Sequence, residues 1–207
     1  MYLLLLKKLT GYFSLFIWLS LATFNDFATA ATPEQTYLLD IPLPTIPPAN
    51  PTGKTLLVSM PQAAPGFDTP AQVYIRTPSR LEYYSKSQWV ASPARMLLPL
   101  LISRLEATGQ FKAILSAVTS SPIISEWRLD TEIIRLQQEF LTEPSQVRLV
   151  LRAQLLDLVA RQVLATQTFE ITKSAPSQDA EGGLLATNQV VAQLLKKIAE
   201  WVEKQLK

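Results

Sequence analysis

Asp130 and Glu132 stand two residues apart in a run that alternates polar and apolar side chains, so both carboxylates fall on one face of an extended strand. Paired carboxylates can share acid and base roles when their surroundings hold one of them protonated. Here Arg128 flanks them and the opposite face is apolar, so a solvated strand face explains the same pattern. The rest of the inventory is poor in chemistry. Histidine and cysteine are both absent from the 207 residues. That excludes Ser-His-Asp hydrolysis, histidine metal ligation, thiol nucleophiles, zinc-thiolate centres and lipid attachment to sulfur. A carboxylate-based or Ser-Lys hydrolase and an all-oxygen metal site are what remain. No catalytic residue, metal or cofactor is expected.

Gly53-Lys54-Thr55 imitates the end of a phosphate-binding loop, but Pro48 stands where that motif requires its first glycine. The residues that follow, Leu56 to Met60, read as a strand where the motif needs a helix. Asn50-Pro51-Thr52 is disqualified as a glycosylation acceptor by its central proline. More can be made of Tyr83, Tyr84, Gln88 and Trp89, the candidate partner-binding residues. On an extended strand Tyr83 sides with Leu81 and Tyr84 with Glu82, so one ring faces the core and the other faces out. Tyr84, Gln88 and Trp89 then read as an aromatic contact patch for a partner or an acyl chain. Trp89 reads equally as a staple holding the loop onto the following helix.

The elements that position these residues form the most structured part of the chain, Val73 to Leu115. Val73–Arg76 and Arg80–Ser85 read as strands around the turn Thr77-Pro78-Ser79. Ser92-Pro93 opens a helix, with serine as cap and proline in the first turn. The helix ends near Thr108, and Gly109 supplies the left-handed residue just beyond it. Pro99 lies inside this helix but shares a narrow face with Arg95, Ser103 and Glu106. The proline therefore faces solvent, the helix survives with a bend there, and Met96, Leu97, Leu100, Leu101 and Leu105 pack inward.

Before this stretch, residues 1–30 have the features of a cleaved export signal, with an uncleaved anchor that keeps the protein membrane-associated as the alternative reading. Lys7 and Lys8 precede an apolar run from Tyr12 to Phe24, and Ala28-Thr29-Ala30 offers small residues to a signal peptidase. Residues 31–207 then form one domain. Tyr37-Leu38-Leu39 reads as a short first strand, Ile41 to Gly53 as a proline-rich surface crossing, and Pro61 to Pro70 as a turn-rich loop.

After the helix, Phe111–Leu115 reads as a strand and Ser116 to Glu126 as a loop. Trp127–Phe140 follows as a long strand in which Trp127, Leu129 and Thr131 share a face. The apolar phase then shifts, placing Ile134, Leu136 and Phe140 in the other register; a β-bulge accounts for the switch, and a helix starting at Thr131 is the alternative. Gln146–Leu155 alternates cleanly, with Val147, Leu149, Leu151, Ala153 and Leu155 inward. Val163, Ala165, Gln167, Phe169 and Ile171 alternate on the return strand. The final segment places Leu184, Val191, Leu195, Ile198, Val202 and Leu206 on one helical stripe, with Gly182 and Gly183 weakening its first turn. The predicted fold class is α+β: a mainly antiparallel sheet with two helices packed on one face, in a single domain.

With 48% hydrophobic and 17% charged residues the chain has ample material for a core, and a net charge of +2 gives no pull towards nucleic acid. The sequence resembles the auxiliary component, commonly a lipoprotein, of ABC-type transport systems linked to Mce-domain lipid-trafficking machinery of the bacterial envelope. The resemblance begins with Tyr37-Leu38-Leu39, Met60-Pro61 and Ala64-Pro65-Gly66-Phe67-Asp68-Thr69. It continues in Tyr74-Ile75-Arg76, Leu81-Glu82-Tyr83-Tyr84, Gln88-Trp89, Ser92-Pro93-Ala94, Met96-Leu97 and Leu105-Glu106. Gly109-Gln110-Phe111, Trp127-Arg128-Leu129 and Glu200-Trp201-Val202 complete it. The resemblance implies a non-catalytic, periplasm-facing protein that binds an Mce-domain or permease component of the transporter, or its phospholipid or other lipid cargo. The family usually carries a lipid-bearing cysteine after its signal. Here that cysteine is missing, so a soluble periplasmic form is expected. A structural or assembly factor of another envelope complex is the alternative reading.

Overall fold

The structure, a computed structural model, describes residues 34–118 and 125–206. The expected export segment lies outside the described residues, as do positions 119–124 of the predicted loop. The spine of the fold is β7 (Trp127–Glu139), more than the stretch Val73–Leu115 that looks most structured in sequence. One edge of β7 pairs along its whole length with β8 (Gln146–Asp157), which in turn pairs with β9 (Gln162–Ser174), all antiparallel. The other edge is shared in succession by three shorter strands. β2 (Thr55–Val58) meets Trp127–Leu129, β3 (Gln62–Ala63) meets Glu132–Ile133, and β4 (Ala71–Ile75) meets Gln138–Glu139. β5 (Glu82–Trp89) pairs with β4, β1 (Gln35–Tyr37) with β5, and β6 (Ala113–Ser116) with β2, completing a nine-stranded sheet.

The long ribbon makes the sheet mostly antiparallel, as predicted, but β2, β3 and β4 run parallel to β7, as do β1 to β5 and β6 to β2. Parallel neighbours need long crossovers. The connection that follows β5 and carries the chain to β6, the parallel neighbour of β2, contains α1 (Pro93–Glu106). The second helix, α2 (Ala180–Lys204), packs across β8 and β9, and α1 packs against α2 and β6. Both helices and the sheet contribute to one continuous hydrophobic core.

Several local expectations hold. Pro99 is exposed on an unbroken helix, and Gly109 adopts φ 65° just past its end. Others are corrected. Ser92 caps α1 with its carbonyl, which accepts from the Arg95 and Met96 amides at 2.9 and 3.2 Å, and its side chain makes no capping bond. Leu98 is buried, while Met96 and Leu100 are only partly so. The first strand is Gln35–Tyr37, with Leu38 exposed and Leu39 in the core. On β9, Val163 is 54% exposed and Gln167 is also exposed. Leu155 pairs with Ala165 but Leu156 with Val163, so a bulge at Leu164 breaks the alternation there. Gly182 and Gly183 fill a packing requirement: a Cβ on either would overlap Ser177 or Gln138. Asp179 offsets the helix-weakening effect of this pair, its carboxylate accepting from the Gly182 amide at 2.8 Å.

Candidate functional site

The four candidate residues on β5 do not form one patch. Val73 pairs with Tyr83 and Ala71 with Gln88, leaving Tyr84 to Ser87 opposite Gln72 alone. This irregularity separates the rings. Tyr83 is 46% exposed. Tyr84, the ring expected outside, is half-buried. Its centroid lies 4.6 Å from that of Tyr74, and its hydroxyl donates to Gln138 Oε1 at 2.9 Å. Burial first, then the neighbouring Tyr74 and Asp179, push the Tyr84 phenol up, with Arg76 opposing. Gln88 is half-buried between Ala71 and Thr36. Trp89 is only 5% exposed and belongs to the core, its amide donating to the Pro70 carbonyl at 2.7 Å. Packing therefore accounts for Trp89, and the outward aromatic is Tyr83.

The other sequence candidates resolve into structure. Asp130 is engaged by Arg128 at 2.9 Å and by the Ser59 hydroxyl, while Glu132 is exposed. Lys54 lies 5.1 Å above the Trp127 ring and Gly53 packs on the backbone of Gln110–Lys112, an arrangement with no phosphate cradle. Among the described residues no three His, Cys, Asp or Glu side chains gather in a way that could hold a metal ion.

An open groove of about 550 Å³ is lined by Leu81, two residues before Tyr83. Phe67, Ile75, Pro78, Leu81, Ile134 and Leu141 give it apolar walls, interrupted by Arg135, Gln137, Glu139 and Arg148. The β7 bulge builds its centre. Ile133 pairs with Leu151 and Arg135 with Val150, so Ile134 is the extra residue. The predicted bulge is thus present, but it is Ile133 that enters the core. Ile134, expected inward, is 36% exposed and stands beside the exposed Arg135. Gly66, at φ 90°, lets the Ala64–Phe67 turn lie directly on Leu81, where a Cβ would approach the leucine to 2.8 Å.

The charges in the groove are unequal. The buried Glu139 carboxylate accepts from Gln137 Nε2 at 2.7 Å and Arg148 Nε at 2.9 Å, and Arg148 also reaches Glu170. Glu139 holds the Arg148 guanidinium more firmly charged than usual, against some desolvation. Arg135, the other arginine on the groove's lining, has no ion-pair partner among the described residues. Sequence reasoning missed this cluster. Its one local signal was the phase shift at Ile133-Ile134, which does not say which isoleucine is expelled.

Residues 37–199 match the family described as the ABC-type transport auxiliary lipoprotein component. The chain belongs to this family. The match takes in β5, the groove and most of α2. None of the curated proteins compared with the chain matches it. Among solved structures, protein XCC0632 from Xanthomonas campestris, described under the family model DUF330, is similar at 22% identity with a TM-score of 0.73. That likeness covers 83% of this chain and 95% of the other. A second crystal structure, of an uncharacterized protein, matches at 14% identity and a TM-score of 0.64, over 83% of this chain and 99% of its own. At these identities both show a shared fold. Among the described residues no helix of this auxiliary component is long and apolar enough to cross a membrane.

Proposed function

We propose that this protein is a non-catalytic auxiliary component of an envelope lipid-transport system of the ABC type. It works by binding an Mce-domain or permease component in the periplasm. The observation that carries this reading is the family match across residues 37–199. The depleted catalytic inventory supports it, since neither histidine nor cysteine is present. The same lack of cysteine leaves no sulfur for a thioether-linked lipid. We read residues 1–30 as a cleaved export signal in place of a lipidated one. We also read the two helices as sharing one face of the sheet, on the strength of their mutual contact and single core. The opposite face, with Tyr83, is then the one offered to a partner.

Co-expression with the permease, ATPase and Mce-domain protein of one transport operon, followed by purification through this chain, tests the reading. A stoichiometric complex with the permease or the Mce-domain protein is expected, and periplasmic protein should have an intact mass beginning at Ala31. Recovery of the chain free of every transport component would overturn the transport assignment.

A further inference from the structure

We propose that a small cavity where β4, β5, β7 and α2 meet is a binding site for one structural water molecule. Gln72 on β4 and the hydroxyls of Tyr84 on β5 and Thr187 on α2 hold it. The cavity measures about 20 Å³, and these three residues share its wall with Trp89, Gln138 and Gly183 among others. Gln72 is 5% exposed, and its Nε2 has no hydrogen-bond partner among the described residues. The irregular pairing of β4 with β5 is the reason. Ala71 pairs with Gln88 and Val73 with Tyr83, which leaves Gln72 without a regular place in the ladder. A buried amide donor is tolerated only where something accepts from it, and in folded proteins that something is often an ordered water.

Size and charge select the occupant. Roughly 10–15 Å³ of such space admits one water, which then needs about two to four polar partners to stay. The cavity meets the first condition with little to spare, so a larger molecule does not fit. No charged side chain lines it, so neither a cation nor an anion would find a counter-charge there. The partners a water needs are on the wall. The Tyr84 hydroxyl donates to Gln138 Oε1 at 2.9 Å, and the Thr187 hydroxyl donates to the Gly183 carbonyl at 2.7 Å. Each of these hydroxyl oxygens keeps its capacity to accept. One water accepting from Gln72 Nε2 and donating to both oxygens answers the unpartnered amide and joins β4 and β5 to α2.

The site stands or falls independently of any transport role, and two measurements on the full chain test it. A high-resolution crystal structure should show a single ordered water within hydrogen-bond distance of Gln72 Nε2 and of the Tyr84 and Thr187 hydroxyl oxygens. A dry cavity, an ion in its place, or a Gln72 amide that donates directly to a protein group would overturn the site. The second measurement is a double-mutant cycle in chemical denaturation. Gln72→Met keeps the length of the side chain and removes the donor, and Thr187→Val keeps the shape and removes the acceptor. No direct hydrogen bond joins these two side chains, so the water is what couples them. The factor by which Gln72→Met changes the unfolding equilibrium should therefore differ by at least about threefold between the wild-type and Thr187→Val backgrounds. Effects that simply add would overturn the bridge.

Discussion

The hydroxyl of Tyr84 on β5 donates to Oε1 of Gln138 on β7 at 2.9 Å. The other end of the same amide donates to the Ser145 hydroxyl at 2.9 Å, and Gly183 of α2 lies against it with no room for a Cβ. One buried glutamine thus ties together two strands, the turn before β8 and the first turn of a helix. A satisfied buried amide of this kind fixes the relative placement of its neighbours, because each alternative leaves a polar group unpaired.

Gly183→Ala tests the closeness of that contact. The added methyl cannot be placed without shifting Gln138, which is held at both ends. Overpacking of this sort costs roughly 1–3 kcal/mol, more than the modest helical gain from replacing glycine. Chemical denaturation should show a net loss of stability. An increase would mean that Gln138 moves aside freely.

Tyr84→Phe keeps the ring on Tyr74 and removes only the hydroxyl. Leaving the Gln138 oxygen unpaired should cost roughly 1–3 kcal/mol at neutral pH. The substitution should also change the alkaline limb of the stability curve. Because the folded state raises this phenol above its unfolded value, its contribution is fully present below about pH 10 and declines as pH rises past it. Stability measured from about pH 8 to about pH 11 should therefore fall less steeply in Tyr84→Phe than in wild type. Parallel curves would show that another group governs the alkaline limb.

Much of this architecture is written locally. Val147 to Leu155 alternate without interruption, and all five predicted inward residues are buried. The shift at Ile133-Ile134 announces a bulge, and one is there. What local pattern cannot convey is the partner strand. Val163 has the right spacing to face the core, yet the bulge at Leu164 turns it out, and that depends on how β9 registers against β8. The parallel pairing of β2, β3 and β4 with β7 is equally non-local, being set by long crossovers. The site suffered most. Strand parity alone cannot say which of two adjacent tyrosines faces out when a four-residue irregularity, Tyr84 to Ser87, begins at the second of them. The groove draws residues from four separate segments, so no single stretch reveals it.

The two aromatics of β5 that differ most in burial, Tyr83 and Trp89, should separate cleanly in experiment. Tyr83→Ala removes an exposed ring and should leave thermal stability within about 0.5 kcal/mol. Trp89→Ala empties a core position and should cost roughly 3–5 kcal/mol. Pull-down of the transport partner beside thermal melts gives both readouts. Weakened capture by Tyr83→Ala at an unchanged melt would place the partner on the groove side. Normal capture would move the contact away from this ring.

Deleting Gln193–Lys207 is the most severe test of α2 as a core element. The deletion removes Leu194, Leu195, Ile198, Trp201 and Val202, all buried, and with Trp201 the edge-to-face contact to Phe169 at 5.9 Å. Each such side chain contributes roughly 1.5–3 kcal/mol by burial, so together they approach or exceed the roughly 5–15 kcal/mol that separates a native domain from its unfolded chain. The sheet face beneath α2, including Leu149, Leu151 and Ile171, would be laid open at the same time. The truncated protein should therefore aggregate or show no cooperative melt. Ile198→Ala provides the graded counterpart, with an expected loss of roughly 2–5 kcal/mol and a fold still intact. A truncated chain that melts at the wild-type temperature would show that the sheet is stable without the second half of this helix.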